Sequence, residues 1–252
     1  MITQLKSNDK HSFLFDSKFT MQITINGQLM ITMLCERLAM QGIDILMINT
    51  DGLEAYVPND KVEVYYKICA LWEKYTNLTL EYIDYSKIIL RDINNYISVS
   101  TTNKIKYKGA FELEKELHKN NSFKIITIAL SEYFINNVPV ENTILNHKNI
   151  YDFCGRQKFK STSYGVTYEL SMDDVVLPIK QQKNVRYYIS KRGHKFIKHY
   201  SNGKQAIINE GCPVIIFNQF VEKENYHIDY DYYIRKANQE IRNIISTQLE
   251  LF

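Results

Sequence analysis

The chain has 252 residues and a mass of 29.8 kDa, enough for one large domain or two modest ones and ample to bury a core. With 45% hydrophobic and 23% charged residues, 9 Gly and 4 Pro, it has the composition of a folded protein, which excludes disordered, collagen-like and low-complexity chains. The net charge of +3 is unevenly placed: residues 1–100 carry 9 Lys and Arg against 12 Asp and Glu, whereas residues 146–204 carry 12 against 4, a balance that would draw a polyanion.

Phe19, Ile23, Gly27, Met30, Leu34 and Leu38 recur at three- and four-residue steps while Ile25, Leu29 and Met33 cover another face. A largely buried helix is therefore expected over residues 19–41, ending near Gly42. The uncharged run from 19 to 35 is 17 residues long and includes Thr, Gln, Asn and Gly, too short and too polar to span a bilayer. Two short apolar runs, residues 43–48 and 53–57, flank Asn49-Thr-Asp-Gly52 and predict a β-hairpin with Asp51 at its tip, its first strand buried. Asp60 followed by Glu63 resembles a capping box, and Val62, Tyr65, Cys69 and Trp72 continue a helix to about Asn77. Strands are expected over residues 78–99, and Lys104-Ile-Lys-Tyr-Lys-Gly109 reads as a basic strand or loop.

Residues 124–136 read as a helix that Pro139 ends. The stretch 160–220 is rich in β-branched and aromatic residues and is interrupted at Arg192-Gly193, Asn202-Gly203 and Glu210-Gly211, which predicts short hairpins. The last helix is the clearest: Tyr230, Tyr233, Ile234, Ala237, Ile241, Ile244, Ile245 and Leu249 form one apolar stripe with Arg235, Lys236 and Glu240 off it. No repeat and no long linker is visible, and the change in charge near residues 100–120 is the expected boundary.

Cys35, Cys69, Cys154 and Cys212 contain no Cys-x-x-Cys pair and no dense disulfide pattern, so a reducing compartment is expected. With no signal peptide visible in residues 1–20, the expected setting is the cytoplasm, with no membrane partner. The 19 tyrosines fit strands and binding surfaces, and fit an AT-rich genome equally well.

An Asp at a Gly-containing hairpin is, by itself, a turn residue. Held at the rigid tip of a buried strand it is also well placed for a divalent cation, although two-metal phosphoryl transfer needs a second carboxylate. Asp44, Glu54, Asp84 and Asp92 are nearby in sequence, but no spacing pairs any of them with Asp51. Arg192, His194, Lys195 and Lys198 suit either phosphates or solvent, and the scattered histidines form no ligand set.

Phe13-Leu-Phe-Asp16, Gln22-Ile-Thr-Ile-Asn-Gly-Gln28, Ile48-Asn-Thr-Asp-Gly52, Arg91-Asp-Ile-Asn-Asn-Tyr-Ile97 and Lys106-Tyr-Lys-Gly109 occur in an order and spacing that resemble the palm of family B DNA polymerases, particularly phage ones. Arg186-Tyr-Tyr-Ile189, Val214-Ile-Ile-Phe-Asn218 and Tyr226-His-Ile-Asp-Tyr-Asp-Tyr-Tyr233 resemble the C-terminal thumb region of that family. The ordered combination carries the resemblance, strongly over residues 12–111 and more loosely beyond.

The resemblance implies an α+β fold: a partial palm of antiparallel sheet and packed helices over residues 1–115, then a mixed helix and β-hairpin thumb over 116–252. It implies that Asp51 is a catalytic residue and a ligand of the Mg²⁺ pair, matching the second Asp of the family's Asp-Thr-Asp motif. Thr50 and Gly52 adjoin it, and Asn49 stands where most members carry the first Asp. Asn94 and Tyr96 fall where many members carry Lys-x-Tyr beside the primer terminus; the Tyr matches and the Lys does not. Lys106 and Lys108 match a basic motif on the primer-template backbone, and Arg192 and Lys195 are further candidates for DNA phosphates.

The family's first catalytic carboxylate, in Asp-x-x-Ser-Leu-Tyr-Pro, and its triphosphate-binding Lys, on a helix ending Asn-Ser-x-Tyr-Gly, have no counterpart in these residues, nor does an exonuclease domain. The chain begins about where the fingers helix would have ended. The expected partners are therefore primer-template DNA, deoxynucleoside triphosphates and an N-terminal polymerase subunit carrying exonuclease and fingers. The chain alone is expected to be inactive, and an apolar seam is expected on the helix and hairpin of residues 19–57. The alternative is a non-catalytic DNA-binding or regulatory relic of such a polymerase.

Overall fold

A computed structural model describes residues 16–49, 52–114, 122–158, 166–169, 176–179, 184–200, 203–220, 222–223 and 225–249. The chain forms two compact units, one of residues 1–86 with 100–102 and one of residues 87–99 with 103–250. This division falls near residue 87.

In the first unit, helix α1 (Ser17–Ala39) starts where the Asp16 carboxylate accepts from the Phe19 N–H at 2.9 Å. It ends at Met40, and Gly42 takes the left-handed φ of 68° that carries the chain into the hairpin. The hairpin pairs β1 (Asp44–Ile48) with β2 (Leu53–Tyr56) in antiparallel register, with a bulge between Ile45 and Met47. Helix α2 (Val62–Thr76) follows a 3₁₀ turn over Asn59–Lys61 and closes at Asn77, which is left-handed with φ 56°. Leu34, Leu38, Ile43, Cys69 and Trp72 are the buried centre of this unit. The Trp72 indole N–H donates to the Met30 carbonyl at 2.8 Å and ties α2 to α1.

Three expectations fail in this unit. The first turns of α1 are exposed: Met21 and Leu29 are 63% and 62% accessible, and Phe19, Ile23 and Ile25 are exposed with them. Apolar residues on every side of a helix predict burial, but it is from Met30 onward that α1 meets this unit's core, with Leu34 and Leu38 buried in it and Met30 and Met33 packed against it. Strand β1 is likewise mostly half-buried, with only Met47 inside. The capping box does not form, because Asp60 lies within the 3₁₀ turn and α2 begins after Lys61, with no side-chain cap.

The second unit holds one large core spanning two sheets and three helices. Strands β3 (Tyr85–Asp92), β4 (Asn95–Ser100) and β5 (Ile105–Tyr107) form a three-stranded sheet in that order, so β5 is an edge. Helices α3 (Lys124–Asn136) and α4 (Val140–Asn146) flank Pro139, which ends one and opens the other. A six-stranded sheet combines β6 (Cys154–Lys158), β7 (Val166–Glu169), β8 (Val176–Ile179), β9 (Asn184–His199), β10 (Gln205–Ile207) and β11 (Val214–Ile216). Helix α5 (Tyr230–Leu249) packs on α3 and α4. Helices and antiparallel sheets together make the fold α+β.

The turn expected at Arg192-Gly193 is absent, because β9 runs unbroken for 16 residues. Its first half lies between β6 and β11, its second between β7 and β10. Gly193 sits between the halves, where a Cβ would collide with the backbone of Val214. Glycine here permits a close backbone approach, and no chain reversal. A turn does close between β9 and β10, where Tyr200 N–H donates to the Lys204 carbonyl at 2.8 Å and Gly203 has φ 78°.

Candidate nucleic-acid interface

The hairpin that was expected to present a carboxylate closes with Asn49 N–H donating to the Gly52 carbonyl at 2.7 Å, and both residues are half-buried. Thr50 and Asp51 lie outside the described residues, as do residues 13–15 of the first palm-like motif. Among the described residues no three His, Cys, Asp or Glu side chains gather as a ligand set.

The second unit brings four of the candidate DNA-binding residues into one construction. Strands β4 and β5 pair with Ile97 opposite Tyr107 and Ser98 opposite Lys106. Between β3 and β4, the Asp92 carboxylate accepts from the Asn94 N–H at 3.0 Å and from the Asn95 amide at 2.7 Å, an Asx turn that fixes both asparagines. The Asn95 side-chain oxygen then accepts from the Ala110 N–H at 2.6 Å, and the Lys108 N–H donates to the Tyr96 carbonyl at 2.9 Å. Gly109, with φ 61°, fits only without a side chain: a Cβ would collide with the Asn94 carbonyl and the Asn95 side chain. The stretches 94–96 and 106–109, separate in sequence, are thus locked together at a sheet edge.

Within that construction the side chains differ in what they offer. Asn94 and Lys106 are exposed and Lys108 is half-buried. Tyr96 is only 4% exposed and presents its ring to the Lys106 ammonium, 5.8 Å from the ring centre. Tyr107 is joined to helix α3 by a 3.0 Å hydrogen bond with Ser131. The linking role of Asp92, Asn95 and Gly109 is what sequence reasoning missed, although the Asp-x-Asn spacing before β4 is the signal of an Asx turn.

Arg192 and Lys195 are both exposed on β9, a strand that pairs with neither β4 nor β5. Arg192 lines an open cavity of ≈ 350 Å³ with Lys191, Asn225, His227, Ile228 and Tyr230. Lys191 donates to the Asp231 carboxylate at 2.7 Å, which raises the lysine's pKa.

Burial pushes the Cys35, Cys69 and Cys154 thiols up, Cys154 to about 12, so none of these three is primed as a nucleophile. Tyr187 and Tyr188 are likewise pushed up to about 12 by burial. The chemistry on offer is that of exposed cations and ordered backbone at a strand edge, suited to holding phosphates without reading bases. No helix among the described residues is long and apolar enough to cross a membrane.

No protein-family model matches the chain, and no curated protein matches it. Among solved structures it is similar to the family B DNA polymerase of the hyperthermophilic archaeon Pyrobaculum calidifontis, at 15% identity and a TM-score of 0.46. The match covers 93% of this chain and 30% of the polymerase chain, so the chain spans less than a third of that protein's length. A likeness at this score carries no weight for what the chain does.

Proposed function

We propose that the chain is the C-terminal palm and thumb part of a template-directed DNA polymerase, residues 1–115 serving as palm and 116–252 as thumb. The observation that carries the reading is the locked β4–β5 edge. Asn94, Tyr96, Lys106 and Lys108, assigned to primer-template contact by motif order alone, are neighbours in space. In this reading Lys106 and Lys108 neutralise backbone phosphates, Asn94 lies beside the primer terminus, and Tyr96 holds the strand and the Lys106 ammonium in position. Arg192 and Lys195 supply further cationic contacts from β9.

Asp51 is proposed to contribute one carboxylate to a Mg²⁺ site whose other ligands come from outside these 252 residues. Asp51 would hold an ion there, and that ion would supply charge stabilisation for nucleotidyl transfer, in which the primer 3′-hydroxyl forms a bond to the α-phosphate of a deoxynucleoside triphosphate as the α–β phosphoanhydride breaks and pyrophosphate leaves. Asn49, in place of an acid, lowers the negative charge of the hairpin and makes the missing carboxylate more consequential. The exposed apolar residues at the start of α1 support a second polypeptide there, one that carries fingers and exonuclease.

The test is primer-template binding across a salt series. Lys106→Gln/Lys108→Gln should weaken binding and reduce the slope of log affinity against log salt by about 2. An unchanged slope would remove these lysines from the interface.

A further inference from the structure

The face of the six-stranded sheet that includes Arg186 carries a second arrangement of charge and rings, remote in sequence from Asn94, Tyr96, Lys106 and Lys108. Arg156 on β6 lies directly opposite Arg186 on β9, so two guanidinium groups share one face of the sheet. Like charges directly opposite each other destabilise a strand pair. Neither arginine forms an ion pair among the described residues that would offset this. Lys158, two residues along on β6, adds a third cation to the same face, opposite Asn184.

Aromatic rings border these cations. The Arg186 guanidinium lies 4.9 Å from the centre of the Tyr151 ring. Tyr151 in turn stacks on Phe220, with ring centres 6.0 Å apart and planes inclined by 28°. Both rings rest on Phe217, which is buried, yet Tyr151 is 40% and Phe220 57% exposed. A large aromatic side chain left more than half open, next to unneutralised arginines, matches a ligand that is both anionic and flat. An acidic peptide would satisfy the arginines and leave the rings uncovered.

We infer that the Arg156, Arg186, Tyr151 and Phe220 face binds single-stranded nucleic acid, with phosphates at the two guanidinium groups and an unpaired base against the aromatic pair. Base stacking on aromatic side chains beside a cationic track is the chemistry of sequence-tolerant single-strand binding. The cations Arg156, Lys158 and Arg186 would draw the strand to this face. The inference goes beyond the polymerase reading and does not require it, since it invokes no primer end, no metal and no synthesis.

The test measures anisotropy of a labelled oligothymidylate of about 15 nucleotides, using the full chain in a Lys106→Gln/Lys108→Gln background. Phe220→Ala should weaken binding at least about 5-fold while leaving the salt dependence intact. Phe220→Leu, which keeps the apolar bulk but loses the aromatic face, should weaken it too, so misfolding cannot imitate the result. Arg156→Gln/Arg186→Gln should instead flatten the salt dependence by about 1.4 in slope, about 0.7 per phosphate. Unchanged affinity in both Phe220 variants would overturn the inference. So would a polyglutamate peptide that displaces the oligonucleotide with equal potency whether or not Phe220 is present, which would assign the face to acidic peptides. Failure of primer extension in the mixture with the polypeptide that carries the missing motifs, with a retained Phe220 effect, would sink the polymerase reading alone.

Discussion

On Tyr233 one hydroxyl satisfies two buried backbone groups. It accepts from the Ile189 N–H at 2.9 Å and donates to the Phe153 carbonyl at 2.7 Å, joining β9 and the 3₁₀ turn over Ile150–Phe153 to helix α5. Tyr188 is as deeply buried, but its hydroxyl has no hydrogen-bond partner among the described residues. Removing each hydroxyl should therefore have opposite consequences. Tyr233→Phe strands a buried donor and should cost about 1–3 kcal/mol in chemical denaturation, whereas Tyr188→Phe should be neutral or slightly stabilising. Equal losses from the two variants would show that neither hydrogen-bonding assignment governs stability. Nothing in the sequence separates these two tyrosines, because partner geometry is a tertiary property.

Helix α1 divides along its length into a part that is packed and a part that is not. Leu38→Ala, at a fully buried position, should cost about 2–5 kcal/mol of stability. Replacing Met21, Ile25 and Leu29 together with Ser should change stability little, since exposed substitutions rarely exceed about 0.5 kcal/mol each, and should raise solubility by removing apolar surface. Thermal unfolding and solubility of the two variants check this; a large loss from the triple variant would mean the N-terminal turns are packed after all. Periodicity made the existence of this helix legible, but the surroundings of its first turns are not encoded in its own period. The same limit applies at β9, where Arg192-Gly193 has the composition of a turn and the opposing Val214 backbone dictates the glycine instead. Elements whose signals are local are legible in the sequence. Helix α3 runs from Lys124 to Asn136 as its pattern predicts, and α5 runs from Tyr230 to Leu249 with Tyr233, Ala237, Ile241 and Ile244 of its expected stripe buried, although Ile245 is exposed. At the candidate site the basic strand and the tyrosine were visible as motifs, while the Asp92–Asn95–Ala110 link between them was not, because it joins residues 15 positions apart.

For the molecule as a whole, its buried phenols set a limit at high pH. Tyr187 and Tyr188 have pKa values raised from 10.0 to about 12, and Tyr233 is also raised, in each case chiefly by burial. The folded state therefore keeps protons that the unfolded chain releases from pH 10 upward. Their contribution is fully present below about pH 10 and is lost as pH climbs towards 12. Phenolate absorbance and circular dichroism followed together should show these tyrosines ionising only as the second unit unfolds. Ionisation near pH 10 with native dichroism would contradict their burial.

The proposal for the whole chain turns on Asp51 meeting a carboxylate that these 252 residues do not supply in the expected motif. The most direct measurement is primer extension with Mg²⁺ and all four deoxynucleoside triphosphates. It would use the chain alone, then the chain mixed with the polypeptide that carries Asp-x-x-Ser-Leu-Tyr-Pro and Asn-Ser-x-Tyr-Gly. Synthesis only in the mixture, abolished by Asp51→Ala with primer-template binding nearly intact, is the predicted result. Synthesis that survives Asp51→Ala, or a mixture that binds primer-template and never extends it, would contradict the assignment and leave the chain a DNA-binding module.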